Sequence, residues 1–294
     1  MSIEVSLPRF APLLDMALYF DGLRTQATAA LPPDLFAQDP GDLAFTVTFW
    51  MSPGPAPWPG AGPPVGPEAA QSVLDLRGPS GAVLSLVYGP GRKLVCALPG
   101  SRPDLTELQL EGIAGPWIYV VLGYAPEPAQ LTVRATDGGP APAAAATELQ
   151  VQLMLKNESR TLTVGRSAAP GDGEVPYQGM LTRLRIRRTS PDPENDTTPG
   201  AMYDGPIGFR SATEGPFAAD WRMNEGYGTV AFDYASPNGP LLPVRYQPPP
   251  GNHLVLGDGE PATEPVWTVA RLSTLVRSAT AQPMAHLFGT GGTV

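Results

Sequence analysis

The stretch LAFTVTFWMSP, residues 43–53, decides the fold class of this chain. Its apolar residues Phe45, Val47 and Phe49 fall on one face of an extended backbone, and Trp50 falls on the other face with the threonines. Alternation with a period of two is typical of a β-strand that has one face in a hydrophobic core. The proline at the end of the stretch stops the pattern, because proline donates no backbone hydrogen bond to a neighbouring strand.

Segments of the same kind recur along the chain, and turn residues separate them. The 37 prolines and 33 glycines among the 294 residues lie between the apolar runs, not inside them. This punctuation is typical of short strands joined by turns. Hydrophobic residues make up 42% of the chain, which is enough to fill a core. About a dozen short strands with few helices predict an all-β fold, a two-sheet antiparallel β-sandwich of the jelly-roll type.

One domain accounts for most of the chain. We expect the sandwich to occupy residues 16–272, with residues 219–272 completing it. Residues 1–15 have mixed polarity and no clear period, so they are predicted to form an N-terminal arm. Residues 273–294 have few apolar anchors and are predicted to form a C-terminal tail. Residues 52–67 are rich in proline and glycine, which predicts an exposed loop.

Charge and cysteine content exclude several classes of function. The formal net charge is −9 and the isoelectric point is near 4.7, whereas a nucleic-acid-binding protein normally carries a basic surface. The single cysteine, Cys96, cannot form an intrachain disulfide, and its place in a short apolar run predicts a buried side chain. The sequence therefore predicts neither a nucleic-acid partner nor a disulfide framework.

The N-terminal sequence and the hydropathy pattern bear on location. The first residues lack a basic region followed by a long apolar run, so we expect no Sec signal peptide. No window reaches about 18 uninterrupted apolar residues, so we expect no membrane insertion. These observations leave the compartment open and predict synthesis in the cytoplasm, with incorporation in an exported particle as one route out of the cell.

The stretch GMLTRLRIRRT, residues 179–189, combines an apolar face with a row of positive charge. Three arginines alternate with Thr182, Leu184 and Ile186. These arginines are Arg183, Arg185 and Arg187. One interpretation is a solvated face that nearby acids balance. The other is a binding site for acidic sugars or for a carboxylate-rich partner, because the planar guanidinium fork binds carboxylates through two hydrogen bonds.

Aromatic side chains outside the core are a second route to ligand binding. Aromatic rings on a surface can form a platform for a sugar or a contact with a protein, whereas in a sandwich most such rings fill the core. The candidates are Trp50, Trp58, Tyr124, Tyr227 and Tyr234. Both interpretations stay open for each of them.

Carboxylate pairs suitable for sugar hydrolysis are not evident in the sequence. A glycosidase needs two carboxyl groups on either side of the scissile bond. The nearest pattern is ELQLEG, residues 107–112, in which Glu107 and Glu111 would share one face of a strand and be solvated. The chain has only two histidines, His253 and His286, which argues against a Ser–His–Asp triad or a histidine metal site. We therefore predict that the protein is not an enzyme.

Several segments resemble the laminin-G-like, or concanavalin-A-like, jelly-roll family of bacterial proteins. ALYFDG at residues 17–22 is similar to its typical first strand, and FTVTFWMSP at 45–53 is similar to its first core strand. WIYVVLGYAP at 117–126 resembles the central strand with a leading tryptophan. LTVGRS and YQGMLTRLRIRR, within residues 162–188, resemble the closing element, in which Arg185 matches the family's arginine. The resemblance implies one jelly roll.

The stretch ADWRMNEGYGTVAFDYASPNG, residues 219–239, resembles the family's strand–turn–strand unit, which in some members follows the arginine strand. Glycine takes positive φ without steric cost, so two glycines of this stretch, Gly226 and Gly228, allow a tight bend. Such a bend lets Trp221 and Met223 point into the core. We therefore interpret the unit as a late strand of a sandwich whose body lies upstream.

Calcium is the one cofactor that the resemblance implies, because relatives often hold it at loop ends. Asp21, Glu225 and Asp233 stand at turn positions where carboxylate and carbonyl oxygens could hold the ion. The alternative is that these acids cap turns by accepting hydrogen bonds from backbone N–H groups.

The sequence leaves three functions open. The first is a non-catalytic recognition or structural β-sandwich, an accessory subunit of a larger particle or surface assembly, such as a phage-tail-like one, that mediates protein or glycan contacts. The second is a free carbohydrate-binding module resembling a lectin. The third, a glycoside hydrolase, is disfavoured by the missing acid pair. Fold cannot choose among them, because function depends on sites that a fold carries.

Overall fold

The computed structural model shows a β-sandwich, as the alternating segments predict. The structure describes residues 16–33, 43–55, 64–66, 68–98, 104–113, 115–137, 142–149, 158–170, 173–192, 196, 217–223, 225, 226, 228–233, 235 and 252–269. These residues form 17 strands in two sheets, and one parallel pair is the exception to antiparallel pairing among the named strands. The prediction of an all-β fold with two antiparallel sheets is confirmed.

The first sheet, sheet A, has eight strands. In spatial order they are β10 (Ala143–Glu148), β9 (Ala129–Thr136), β8 (Ile118–Pro126), β3 (Phe45–Pro53), β13 (Gln178–Arg187), β1 (Met16–Asp21) and β17 (Val266–Val269). The eighth strand, β14 (Phe217–Trp221), pairs with the second half of β13, while β1 pairs with its first half.

The second sheet, sheet B, has nine strands. In spatial order they are β15 (Val230–Ala231), β16 (Leu254–Leu256), β2 (Ala27–Leu31), β11 (Arg160–Val164), β4 (Ala70–Gly78), β5 (Gly81–Gly89), β6 (Lys93–Leu98) and β7 (Asp104–Gln109). The ninth, β12 (Glu174–Pro176), runs parallel to β4. A short 3-10 helix, Pro261–Thr263, precedes β17.

The hydrophobic core lies between the inner faces of the two sheets. Phe45, Val47 and Phe49 are all buried in it, as the alternation in β3 predicts. Cys96 is buried in the same core, and burial raises the pKa of its thiol to about 12. This thiol is therefore a small apolar core residue and not a nucleophile.

The late segment supplies strands to both sheets, which explains its place near the end of the domain. Trp221 and Met223 are fully buried in the core, as predicted. The indole Nε1 of Trp221 donates to the carbonyl oxygen of Asn252 at 2.7 Å. Gly226 and Gly228 have φ of +75° and +84°, the conformation that the tight bend requires.

Three predictions on chain organisation lie wholly or partly outside the described residues. These are the arm at 1–15, the tail at 273–294 and most of the loop at 52–67. The domain limits of 16 and 272 stay predictions. In the part of the chain that the structure describes, no helix is both long and apolar enough to cross a membrane.

Candidate functional site

A bulge in β13 changes which residues of the predicted arginine row share a face. Thr182 pairs with Trp50 and Arg185 pairs with Thr48, so β13 has one more residue than β3 between these pairs. Arg183 adopts φ of +55°, in the left-handed region, as a bulge residue can. The strict alternation of three arginines was therefore wrong. Thr182, predicted on the apolar face, lies on the same outer face as Arg185.

Arg185 forms a buried ion pair on the outer face of sheet A. Its Nε donates to Oδ1 of Asp220 in β14 at 3.2 Å, and the two side chains are only 5% and 2% exposed. The Nε of Arg222 donates to the other carboxylate oxygen, Oδ2, at 3.1 Å. Arg185 is thus balanced by an acid, as one interpretation held, but it is buried and not solvated. The pairing attaches β14 to β13.

Arg187 is also paired with an acid. Its guanidinium contacts the buried carboxylate of Asp196, and Asp196 Oδ2 accepts from the backbone N–H of Asp192. The loop after β13 lies over the same face, because the carbonyl of Thr189 accepts from Thr46 Oγ1 at 2.8 Å. Both arginines that face outward in β13 therefore hold chain segments onto the sheet and are not open to a ligand.

Of the predicted aromatic platform, the described members are buried. Trp50 is fully buried in a small apolar cluster on the outer face of sheet A, and its ring lies 5.2 Å from that of Tyr119. Tyr124 is buried in the main core. For these two rings the core interpretation holds, because both faces of sheet A are covered here. Trp58, Tyr227 and Tyr234 lie outside the described residues.

Asp21 caps the turn after β1. Its Oδ1 accepts from the backbone N–H groups of Leu23, Arg24 and Thr25 at 2.9–3.1 Å and from Thr25 Oγ1 at 2.8 Å. Burial alone would raise the pKa of Asp21, but these four hydrogen bonds outweigh burial and hold the pKa below its ordinary 3.8. The geometry matches the turn-capping alternative.

Glu225 and Asp233 lie at the opposite end of β1 from Asp21. A Cβ added at Gly226, next to Glu225, would lie 3.3 Å from the side chain of Met16, which begins β1, whereas Asp21 ends that strand. Six residues of strand extend over about 16 Å, too far for the three acids to share one ion. Within the described part of the chain, no group of three His, Cys, Asp or Glu side chains could hold a metal. Calcium binding stays a prediction.

Asp233 connects β14 to the strands of sheet B. Its Oδ1 accepts from the N–H groups of Asp220 and Ala235, each at 2.9 Å. Its own N–H donates to Nδ1 of His253 at 3.1 Å. Burial raises the pKa of Asp233 above 3.8, and the charge of Asp220 raises it further, while the two hydrogen bonds and His253 act in the opposite direction. Oε1 of Glu225 likewise accepts from a backbone N–H, that of Phe232, at 3.0 Å.

The predicted carboxylate pair of Glu107 and Glu111 does not share a strand. Strand β7 ends at Gln109, so Glu111 lies in the following turn. Glu107 is exposed on β7, the edge strand of sheet B, and pairs with Lys93 at 3.1 Å. The expectation of two acids on one face of a strand was wrong, while their predicted exposure to solvent is confirmed.

The outer face of sheet B carries a row of small and polar side chains, and the sequence interpretation missed it. One residue from each of five neighbouring strands lies in direct cross-strand register on this face. These residues, the sheet B row, are Thr28, Thr163, Asp75, Ser85 and Ala97. Three of them, on β2, β5 and β6, are half-buried and reach the surface. The sequence alone could not identify the row, because its residues come together only through the pairing of five strands.

Asp75, at the centre of the sheet B row, fixes a loop beside that face. Its Oδ2 accepts from Arg77 Nε at 2.6 Å, from Ser167 Oγ at 2.9 Å and from the backbone N–H of Ala168 at 2.9 Å. The guanidinium of Arg77 is 30% exposed and also donates to the carbonyl of Ala169. The ion pair of Asp75 and Arg77 therefore lies beside the small side chains of the row, and the guanidinium donors of Arg77 are accessible to solvent.

Comparisons with known proteins show the fold. No protein-family model matches the chain, and no curated protein matches it. A provisionally assigned carbohydrate-binding protein from Bacteroides ovatus is similar in structure, with 11% sequence identity and a TM-score of 0.51 over 88% of this chain. The chain spans 60% of the length of that protein. The likeness supports the jelly-roll-like sandwich.

Two more distant structures are also β-sandwiches of similar kind. A pentraxin resembling serum amyloid P from Limulus polyphemus is 14% identical over 65% of this chain and 84% of its own, with a TM-score of 0.42. The CBM40 module of a Ruminococcus gnavus sialidase is 13% identical over 62% of this chain and 94% of its own, with a TM-score of 0.43.

Proposed function

We propose that this protein is a non-catalytic β-sandwich that binds carbohydrate on the outer face of sheet B. The observation that carries the proposal is the sheet B row, which places hydroxyl and small side chains across five paired strands. Five strands spaced about 4.8 Å apart extend over about 19 Å, which matches several sugar rings. No large side chain of the row stands above this path.

The chemistry of this face suits sugar hydroxyls. A Ser or Thr hydroxyl both donates and accepts hydrogen bonds, as a sugar hydroxyl does, so each can adapt to the other. Arg77 adds donors, and the half-buried Val87 and Val95, which pair directly on the same face, add apolar surface for C–H groups. Mixed apolar surface with a few polar groups is typical of ligand sites.

Two further points support recognition without catalysis. The similar Bacteroides ovatus protein is described as carbohydrate-binding, and its fold is the one seen here. Asp75 and Glu107 on this face also have partners: Oδ2 of Asp75 is hydrogen-bonded by Arg77, and Glu107 is paired with Lys93. Neither is arranged beside the other as a hydrolytic acid pair requires.

A steric block of the sheet B row tests the proposal. The wild type would first be screened on an array of neutral and acidic glycans, and the best ligand titrated calorimetrically. Ala97→Trp places a large ring on the row and is expected to weaken binding by about tenfold or more. Leu23→Trp, at an exposed turn position outside the row, is the matched control and should bind like the wild type.

Two results would contradict the proposal. One is that no glycan on the array binds. The other is that Ala97→Trp, with an unchanged melting temperature, binds as tightly as the wild type. Loss of binding in Leu23→Trp as well would mean that the ring acts through stability and not through the row.

The role of accessory subunit in a larger assembly remains a second proposal. Strand β17 stands at the edge of sheet A, and Val266 within it is 53% exposed, as is expected of an edge that meets another protein. Light scattering of the native protein tests this role. A monomer in purified material and in material from its own cell would contradict it.

A further inference from the structure

A further arginine, Arg134 in β9, lies on the outer face of sheet A, away from the arginines of β13. One residue from each of five strands is in register there, and we call these the sheet A row. The sheet A row consists of Arg134, Val121, Thr48, Arg185 and Asp220. Arg134 is therefore on the same face as Arg185, three strands away, or about 14 Å.

Arg134 differs from Arg185 and Arg187 on this face because no described carboxylate pairs with its guanidinium. Arg185 is paired with Asp220 and Arg187 with Asp196. The side chain of Arg134 makes no ion pair and no hydrogen bond with the residues that the structure describes, and its Nε is buried without a partner. The acid nearest in sequence, Asp137, accepts from the backbone N–H of Gly115 at 3.0 Å.

The neighbours of Arg134 are small or uncharged. Across the strand pairs lie Ala144 in β10 and Val121 in β8. Thr132 and Thr136, two residues away in β9, share its face and are buried. Directly beside Arg134, therefore, the described strands place no carboxylate that could turn toward the guanidinium.

A half-buried guanidinium without an acceptor is unfavourable. Taking a charge out of water is costly, and an opposite charge with good hydrogen-bond geometry offsets that cost. An anion from solution would supply both, and a carboxylate fits best because its two oxygens match the planar fork of the guanidinium. An anion at this position would give the buried Nε an acceptor that the described residues do not supply.

The β10 side of Arg134 gives such an anion a way in. Ala144 and Ala146 are exposed and have the smallest side chains next to glycine, so they leave space above β10 at the edge of sheet A. The net charge of −9 repels polyanions, which favours a ligand with a single negative charge.

We propose that Arg134 is the carboxylate-binding residue of a second carbohydrate subsite, which takes a sugar acid of the uronate class. The choice of a sugar as the carrier of the carboxylate rests on the proposed function. An acidic peptide is the other carrier of the same group, and the experiment below separates the two.

A matched pair of small sugars tests this subsite. Methyl glucuronide and methyl glucoside differ only in a carboxylate against a hydroxymethyl group, so their difference in affinity reports the carboxylate. The wild type is expected to bind the glucuronide at least about tenfold more tightly, since hydrogen bonds to charged groups are the stronger ones. Binding would be followed by NMR on the 15N-labelled full chain, including the Nε–H signal of Arg134.

Arg134→Gln and Arg24→Gln are the test and control variants. Each removes one positive charge, but Arg24 lies in the exposed turn after β1, outside sheet A. Arg134→Gln should lose the preference for the glucuronide, while Arg24→Gln should keep it. Because Arg134 has no partner in the unliganded protein, Arg134→Gln should also melt no lower than the wild type. A structural role would lower the melting temperature.

The outcomes separate this inference from the proposed function. A preference for the carboxylate that persists in Arg134→Gln, or that is absent in the wild type, overturns the subsite. The proposed function would still stand if neutral glycans bind and Ala97→Trp weakens that binding. Failure of every glycan would overturn both. Methyl glucuronide binding no tighter than acetate, or an Asp-rich peptide binding in its place, would overturn the sugar assignment.

Discussion

The two outer faces of the sandwich are built alike and used differently. Each carries a row of five residues in direct register, the sheet A row and the sheet B row. In the sheet A row, four of the five residues are buried and an ion pair closes one end. In the sheet B row, three of the five reach the surface. The buried residues of the sheet A row therefore contribute to stability, and the sheet B row is the one on which we propose that neutral sugars bind.

The difference follows from what lies above each sheet. Above sheet A, Pro191 packs so closely on Gly123 that an added Cβ would lie 2.6 Å from it. Strand β14 and the loop after β13 are held down by arginine–carboxylate pairs. Above sheet B, Asp75 and Arg77 bind the loop that contains Ala168 and Ala169 and hold it beside the row. Charged residues on a strand face can therefore attach neighbouring chain segments as readily as they can bind a ligand.

Breaking the ion pair of the closed face should have the largest effect. Asp220→Ala removes the carboxylate that pairs with the buried Arg185 and attaches β14, so we expect a loss of about 3–5 kcal/mol in the free energy of unfolding. Chemical denaturation followed by tryptophan fluorescence measures it. Glu111→Ala removes the same charge at an exposed turn and is the control. A loss below about 1 kcal/mol would place this pair with surface ion pairs and undo the contrast between the faces.

The carboxylate on the open face should matter less for stability. Asp75→Ala leaves Ser167 Oγ and the N–H of Ala168 without their acceptor, but Arg77 can turn to solvent. We expect a loss of about 1–3 kcal/mol. Hydrogen exchange of residues 165–170 should accelerate in this variant, because the loop loses its attachment. Unchanged exchange there would show that other contacts hold the loop.

Two acids outside the rows should respond to pH in opposite directions. The raised pKa of Asp233 means that the native state binds more protons than the unfolded state above pH 3.8, so its contribution to stability falls as pH rises through that window. The lowered pKa of Asp21 stabilises the native state above 3.8, and this contribution is lost as pH falls below that value.

Asparagine variants followed by melting temperature from about pH 3 to pH 7 test this pair. Asp233→Asn should flatten the decline of stability above pH 3.8, and Asp21→Asn should flatten the loss below it. The same change of slope in both variants would contradict the assignment.

The smallest effect on stability is expected for the hydroxyls of the open face. Ser85→Ala combined with Thr28→Val should change the free energy of unfolding by about 1 kcal/mol or less, since neither hydroxyl bonds another segment among the described residues. Glycan affinity, measured by calorimetry, should nonetheless fall. Thr268→Val in β17 of sheet A is the matched control. Equal affinity in the double variant and the wild type would remove the hydroxyls from the proposed site.

Much of the fold could be predicted from the sequence because local patterns determine it. Alternation in β3 showed which residues enter the core, and Gly226 and Gly228 marked the bend that turns Trp221 inward. Local patterns of this kind need no knowledge of which strands are neighbours.

The site was less predictable because it depends on which strands are neighbours. The bulge at Arg183 occurs without a glycine, so nothing in GMLTRLRIRRT signals it. Arg185 and Asp220 are 35 positions apart and meet only after β13 and β14 pair. The pattern of β3 could not decide whether Trp50 is exposed, because Trp50 shares its face with threonines and only the folded chain shows that this face is covered as well.

The position of β1 between β13 and β17 has a consequence for how the protein folds during synthesis. Its last residue, Asp21, pairs with Gln178, and a hydrogen bond links the two across 157 positions. The apolar stretch ALYF therefore leaves the ribosome long before its neighbours exist. Closing such a long loop before any contact rewards it makes folding slow, so β1 is exposed to aggregation in the interval. A nascent chain that is stopped before residue 178 should need a chaperone that covers this strand.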